Sequence, residues 1–356
     1  MSAFQIPHKM KAAVLHAVHD VRMEEVPVPE PGPGEVLIQV MAVGVCGSDV
    51  HYYEHGRIGP YIVRKPLILG HECSGIVVAR GEGANRFNIG DRVAVEPGVT
   101  CGKCEYCKRG RYNLCPDVQF LATPPVDGAF VQYIRHREDF VYPIPAHVSF
   151  EEAALIEPFS VGIHALNRAG FKPGQSVAIV GLGPVGLMAV AAAKAYGAGR
   201  IVGCELESVR LAAAKKLGAT DTVETGRDGV AEDIRRLTGG GADVVIETAG
   251  HPVALQTALQ SVRRGGKLSI VGLPPEPMAK FDVPFICDNE IDIYGIFRYA
   301  NTYPTGVRFM SSGLPGIKEL VTDRFELADT KRALDRAMLD KKECLKAVVY
   351  PNGFLA

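Results

Sequence analysis

The chain has 356 residues, with 39 Lys and Arg against 40 Asp and Glu for a formal net charge of −1, and 47% of it is hydrophobic. This is the composition of an ordinary globular protein, and at about 100–200 residues per domain the length predicts two domains with separate cores. The near-neutral balance argues against nucleic acid or an anionic membrane as the main partner, because either favours a one-sided excess of Lys and Arg.

The first twenty residues carry His8, Lys9, Lys11, His16, His19 and Asp20, so no uninterrupted apolar stretch of the secretory kind follows the start. A cytoplasmic location is therefore expected. In a reducing compartment, clustered members of the nine cysteines are better read as metal ligands than as disulfides. From 11 to 144, short alternating apolar runs (36–45, 74–79 and 92–95) are broken by Gly/Pro-rich turns such as 27–34, which predicts a mostly β domain. Cys46 follows the first of these runs, and the pair His71-Glu72 lies between Gly70 and Gly75. Taken singly, each is more often an ordinary buried residue. Together they offer a soft donor, a borderline donor and a carboxylate oxygen, which is the set for a catalytic Zn²⁺ with three protein ligands and one exchangeable position.

Cys101, Cys104, Cys107 and Cys115 are spaced C-x₂-C-x₂-C-x₇-C. Four thiolates in so short a run suit a closed tetrahedral Zn²⁺ of structural type. Iron–sulfur spacings differ. Lys103, Lys108, Arg109 and Arg111 lend the run some charge, but a nucleic-acid zinc knuckle would need a broader basic surface. Glu157, in Ala-Leu-Ile-Glu157-Pro-Phe, is an acid in an apolar run. It needs a metal or a partner charge, and an interdomain salt bridge would also serve.

From 176 to 296 the pattern becomes a regular alternation: strands at 177–180, 200–204, 222–224, 243–248 and 267–271, with helices at 187–196, 209–217, 230–237 and 253–262 between them. Such alternation predicts right-handed βαβ units on a parallel sheet covered on both faces. The 21 uncharged residues between Lys172 and Lys194 are interrupted by Pro and Gly, and read as a buried strand, a turn and a helix rather than as a membrane span. That turn is Gly181-Leu-Gly183-Pro-Val-Gly186, a G-x-G-x-x-G between strand and helix. Glu205 ends the next strand 19 residues on, where a ribose-binding acid belongs in a dinucleotide site. Gly181 permits the turn, Gly183 admits a pyrophosphate to the backbone, and Gly186 lets helix and sheet pack closely. A carboxylate here favours NAD over NADP; Arg210 is expected to flank the adenine ribose. Residues 298–356 predict one amphipathic helix near 329–341 and a terminal strand at 345–350, packed back on the first domain.

Several stretches resemble the medium-chain, zinc-dependent alcohol dehydrogenase superfamily, and its polyol branch most closely. They are Cys46-Gly-Ser-Asp-Val-His-Tyr-Tyr-Glu-His-Gly-Arg-Ile-Gly59, Gly-Arg-Tyr-Asn-Leu-Cys115, Ala122-Thr-Pro-Pro-Val-Asp-Gly128, Ala154-Leu-Ile-Glu-Pro-Phe-Ser-Val-Gly-Ile-His164 and Phe297-Arg-Tyr-Ala-Asn-Thr-Tyr-Pro304. The resemblance, to sorbitol and xylitol dehydrogenases, implies an α/β fold. A doubly wound Rossmann sheet (157–296) binds NAD, and a mostly β GroES-like catalytic domain (1–156 and 297–356) binds zinc. It implies two Zn²⁺ per chain. The structural ion sits on the four cysteines; the catalytic ion is held by Cys46, His71 and Glu72, with Glu157 reached directly or through water. Tyr52, Glu157, Arg298 and Tyr299 are implied to meet a small polyol substrate, and Ser48 and His51 to relay its proton. Val185, Glu205, Arg210, Val271, Gly272, Leu273, Ile296, Phe297 and Arg298 are implied to contact NAD. A homotetramer is also implied, with 2,3-butanediol or L-threonine dehydrogenase as the alternative activity on the same scaffold. Glu205 departs from the Asp that many polyol dehydrogenases carry there.

Overall fold

The apolar run 36–45 forms the strand Glu35–Gly44 in the computed structural model, which describes residues 4–274 and 278–354. This strand lies at the centre of a seven-stranded sheet. It pairs antiparallel with Glu72–Arg80 on one side, and with Tyr133–Arg137 and Lys346–Tyr350 on the other. Arg92–Val95 and Val141–Pro143 extend the first side, while Val321–Glu326 runs parallel to Lys346–Tyr350. A smaller sheet orders Asp20–Pro27, Lys9–Ala17 and Leu67–Ile68. Val36, Ile38, Val40 and Val43 are fully buried, and with Val77, Val93, Phe130 and Val349 they make one contiguous core. The register places Gly44 opposite both Glu72 and Val348, so residues distant in sequence reach one end of three neighbouring strands.

The expected alternation from 176 onward folds as a six-stranded parallel sheet, in the order Asp221–Glu224, Arg200–Glu205, Ser176–Val180, Ala242–Glu247, Val262–Ile270, Asp292–Gly295. In chain order this is 3-2-1-4-5-6, a doubly wound arrangement whose order reverses between Ser176–Val180 and Ala242–Glu247. Val177, Ile179, Val202 and Ile246 are fully buried, as a sheet covered on both faces requires. The uncharged stretch after Lys172 contributes the strand Ser176–Val180 and the helix Pro184–Ala195. Among the described residues, no helix is long and apolar enough to cross a membrane.

Contacts divide the chain into two units, 1–157 with 303–311 and 321–356, and 158–302 with 312–320. The tail is thus shared more finely than an expected boundary at 297. Residues 303–311 form an unexpected helix, Tyr303–Ser311. It joins the first unit because the Tyr303 hydroxyl donates to the Val95 carbonyl at 2.8 Å and the ring stacks on Tyr142. Residues 312–320 join the second unit, where Gly316 lies so close to the Lys216 backbone that a Cβ would sit 3.0 Å from it. The expected terminal helix and strand fold as Thr330–Leu339 and Lys346–Tyr350.

Candidate functional site

Cys46 caps the helix Gly47–His55, and its backbone N–H donates to Asp49 Oδ2 at 2.9 Å. Asp49 Oδ1 accepts from the Gly70 N–H at 2.9 Å and lies 3.6 Å from His71 Nδ1. One fully buried carboxylate therefore positions both the cysteine and the histidine. His71 and Glu72 follow the short Leu67–Ile68 strand, and Glu72 opens the next one, facing Gly44. The donor atoms of Cys46, His71 and Glu72 all lie within 4.8 Å of one another. Donors around a single tetrahedral Zn²⁺ sit about 3.3–3.8 Å apart, so small shifts close the site. Burial opposes a charge on His71, yet the carboxylate of Asp49 and the Cys46 sulfur hold its pKa well above the ordinary histidine value. A second nitrogen oriented by a carboxylate is the usual support for a metal-binding imidazole.

Lys346 was not foreseen as part of this group. It is a lone cation in an otherwise apolar strand, fully buried, and its Nζ donates to the Val45 carbonyl at 2.8 Å and pairs with Glu72 Oε2. Burial works against its charge and Glu72 restores it. Gly44 makes the room: a Cβ there would lie 2.1 Å from Glu72 Oε2 and 2.9 Å from Lys346 Cε. Apart from that ion pair, neither Glu72 oxygen has a hydrogen-bond donor among the described residues, although both are buried. A carboxylate so placed is suited to a cation ligand. Glu157, buried in the first turn of Ile156–Arg168, stands outside the convergent set of three. His71 packs against the Phe120 ring at 5.6 Å.

Cys101, Cys104, Cys107 and Cys115 also converge within 4.8 Å, with 3.5 Å between the Cys115 and Cys101 sulfurs. Backbone N–H groups of Cys101, Cys104 and Cys107 point at neighbouring sulfurs at 3.4–3.5 Å. The N–H groups of Lys103 and Cys104 lower the Cys101 pKa, while burial raises that of Cys115; four sulfurs so close together suit a cation that favours their thiolate form. Of the remaining cysteines, Cys73, Cys204 and Cys344 are core residues as expected, but Cys287 is exposed because its short helix, Val283–Asp288, buries none of its residues.

The lobe is anchored through Tyr112, whose hydroxyl donates to Glu96 Oε1 at 2.7 Å; Tyr142 donates to Oε2 at 2.8 Å. Burial pushes Glu96 up to about 7 against these two bonds, and pushes the adjacent His136 down to about 4. The two act oppositely on stability. Between pH 4.5 and 7 the unfolded chain ionises Glu96 before the folded one does, so stability falls as pH rises, by about 3 kcal/mol in all. Between pH 6.5 and 4 the unfolded chain protonates His136 first, so stability falls as pH drops, by a similar amount of about 3 kcal/mol. Their sum is flat between pH 4.5 and 6.5. Glu96→Gln removes one arm, and urea unfolding is expected to show stability climbing with pH across that range; an unchanged pH dependence contradicts the assignment.

In the second unit, Gly181 has φ +93° and Gly183 ends the turn with open space where a Cβ would be. A Cβ on Gly186 would meet the Gly181 carbonyl at 2.0 Å. The three glycines thus serve turn, open approach and close packing, and the helix Pro184–Ala195, with Val185 in its first turn, presents its N-terminus there. Glu205 Oε2 accepts from the Leu182 N–H at 2.8 Å and lies 3.6 Å from Arg210 Nη1. Val271, Gly272 and Leu273 leave the end of Val262–Ile270, and Ile296, Phe297 and Arg298 leave the end of Asp292–Gly295; the Ile296 N–H donates to the Ile270 carbonyl at 3.0 Å. All the expected coenzyme segments therefore lie at the carboxyl ends of the parallel strands. Arg298 has φ +50° and its guanidinium lies 4.8 Å from the Phe297 ring; Tyr299 is buried. In the first unit, Tyr52 is buried on the Gly47–His55 helix, Ser48 is half-buried and His51 exposed.

A dinucleotide turn in one unit and a Cys-His-Glu group with a four-cysteine lobe in the other define a zinc-binding dehydrogenase of the alcohol dehydrogenase family, and the chain belongs to that family. Residues 32–146 match the alcohol dehydrogenase GroES-like domain and 184–312 the zinc-binding dehydrogenase domain. Over 348 residues it is 62% identical to the sorbitol dehydrogenase of Bacillus subtilis (strain 168), covering 98% of this chain and 99% of that one. Among solved structures, it is similar to an Escherichia coli oxidoreductase/dehydrogenase of unknown specificity (40% identity, TM-score 0.91, 96% of this chain and 99% of that one). It is also similar to the 2R,3R-butanediol dehydrogenase of Bacillus subtilis (35% identity, TM-score 0.87, 96% of this chain and 100% of that one).

Proposed function

We propose that the protein is a zinc-dependent oxidoreductase that transfers hydride from a secondary hydroxyl of a polyol, sorbitol or xylitol, to NAD and yields the ketose. The observation that carries this reading is the Cys46, His71 and Glu72 group on a chain 62% identical to a sorbitol dehydrogenase. When bound, zinc supplies a Lewis acid that acidifies a coordinated hydroxyl, and NAD supplies the hydride acceptor. Asp49 orients His71 and the Cys46 backbone for that ion, and Lys346 holds Glu72 in place. Glu157 is the proposed additional group on the metal, directly or through water.

Ser48 and His51 are the proposed route by which the hydroxyl proton leaves. Partial desolvation and the neighbouring His55 keep the His51 pKa below its ordinary value, which favours the neutral, proton-accepting form. With His51→Gln, the pH profile of kcat is expected to shift toward higher pH; an unshifted profile removes His51 from the route. Tyr52, Glu157, Arg298 and Tyr299 are the proposed partners of the substrate hydroxyls, and sites that pair buried polar groups discriminate strongly against substrates lacking the hydroxyl.

The glycine turn and the helix N-terminus bind the pyrophosphate, and Glu205 accepts from the ribose diol. Val185, Arg210, Val271, Gly272, Leu273, Ile296, Phe297 and Arg298 complete the proposed coenzyme contacts. Hydrogen bonds to a charged group contribute about 1.5–3 kcal/mol, so Glu205→Ser is expected to raise KM for NAD by roughly 10-fold or more and to narrow the preference over NADP. Steady-state kinetics with both coenzymes checks this, and unchanged discrimination contradicts it.

Likeness to a butanediol dehydrogenase keeps 2,3-butanediol as a second reading. A panel of sorbitol, xylitol, 2,3-butanediol and L-threonine with NAD, followed by NADH absorbance, separates the two: the highest kcat/KM is expected on a polyol. The proposed assembly is a homotetramer, supported by the exposed edge strand Asp292–Gly295 with Ile293 and the nearby exposed Phe297. Sedimentation as a monomer contradicts it. The free cysteines support the cytoplasm as the proposed location, and recovery from cells with its thiols oxidised contradicts that.

A further inference from the structure

Glu247 ends the strand Ala242–Glu247, beside the strand that feeds the glycine turn. Its side chain is fully buried, and no cation pairs with it among the described residues. Oε1 accepts from the Ala249 and Gly250 N–H groups, both at 2.8 Å, while Oε2 is buried with no hydrogen-bond partner of good geometry among the described residues, the Gly272 N–H lying beside the carboxylate. The Glu247 carbonyl accepts from the Val271 and Gly272 N–H groups at 2.8 and 3.1 Å. One residue thus holds both the turn after its own strand and the segment leaving the neighbouring strand. The fit between them is close. A Cβ on Gly272 would lie 2.2 Å from the Gly250 nitrogen and 2.7 Å from Glu247 Oε2, and a Cβ on Gly250 would lie 2.6 Å from the Leu273 carbonyl oxygen. Thr248 adds a third tie: its hydroxyl donates to the Gly181 carbonyl at 2.7 Å.

A buried carboxylate with no cation beside it is costly even with N–H donors, and a purely structural cross-link is made as well by a neutral side chain. The sheet order shows what this one is placed to do. Glu205 lies on one side of the glycine turn and Glu247 on the other. A dinucleotide whose adenine ribose meets Glu205 and whose pyrophosphate meets the turn runs its nicotinamide half past the Glu247 strand end.

We propose that Glu247 is a positioning residue for the nicotinamide half of NAD: its carboxylate fixes the Ala249–Gly250 turn, against which Gly272 and Leu273 pack. The inference rests on the NAD reading above. In zinc-loaded enzyme, the Glu247→Gln variant is expected to bind NADH roughly 10-fold more weakly while ADP-ribose, which lacks the nicotinamide, changes less than about 2-fold, since a charged acceptor exceeds a neutral one by about that factor. Glu247→Asp, which keeps the charge but withdraws it by one methylene, is expected to show the same selective loss and serves if the Gln variant does not fold. Equal weakening of both ligands reduces Glu247 to a structural role and overturns the proposal, as does unchanged NADH binding in either variant. Failure of the wild-type protein to bind NADH overturns instead the NAD reading itself.

Discussion

With Cys46→Ala, the protein is expected to retain one zinc per chain instead of two and to lose polyol oxidation by roughly 10³-fold or more, since several kcal/mol of Lewis-acid stabilisation leave with the ion. Cys46 contributes the soft donor of the convergent set, and the other two donors, His71 and Glu72, cannot close a tetrahedral site by themselves. The fold should persist. The Asp49 contact that caps the helix is made to the Cys46 backbone N–H, which Ala retains. Metal analysis beside kinetics checks the pairing of effects. Two zincs per chain with full activity contradict it, and loss of the helical signal would mean that Cys46 is structural.

Lys346→Met is expected to destabilise the zinc-free protein far more than the zinc-loaded one. Removing one member of a buried ion pair costs about 3–5 kcal/mol because the other charge is left uncompensated. Glu72 is in that position here: it is buried, and apart from Lys346 Nζ it has no donor on either oxygen among the described residues. A zinc held by that carboxylate would supply the missing positive charge, so the loaded variant would be spared most of the cost. Thermal unfolding of the two forms reads the difference directly. A gap in Tm on the order of 10 °C is expected between the effects of the substitution on zinc-free and zinc-loaded protein. Equal losses in both would mean that Lys346 acts by packing alone. The double variant Lys346→Met with Glu72→Gln should recover much of the zinc-free stability, because neither position then leaves an uncompensated charge behind.

The readable parts of the sequence were those whose chemistry is local. Four cysteines within fifteen positions, a glycine turn between strand and helix, and an acid at the end of the next strand each carry their meaning in their spacing. The alternation of strands and helices from 176 onward was legible for the same reason, since periodicity reports which face is buried. The residues that escaped notice act through register. Lys346, Gly44 and Glu72 meet only because the central strand aligns Gly44 with both Glu72 and Val348. Lys346 left one trace, a charge in an apolar terminal strand, and a buried cation always asks for a partner. Asp49 was hidden inside a helix that opens on Gly-Ser, residues that by themselves read as a loop. Glu247 could not be found from pattern, because its side-chain partners are backbone N–H groups two and three residues on, and backbone donors leave no mark in the residue types. Short segments of the tail join a unit through contacts that no pattern announces, such as Tyr303 on Val95 and Tyr142.

The central claim is that a zinc held by Cys46, His71 and Glu72 enables this chain to oxidise a polyol with NAD. The most direct test is kcat/KM for sorbitol and xylitol with NAD, measured on the protein as isolated, after removal of the catalytic zinc by a chelator, and after zinc is returned. Turnover that is lost with the ion and restored with it is the predicted result; turnover of a polyol that persists without zinc, or its absence from the zinc-loaded enzyme, would contradict the account.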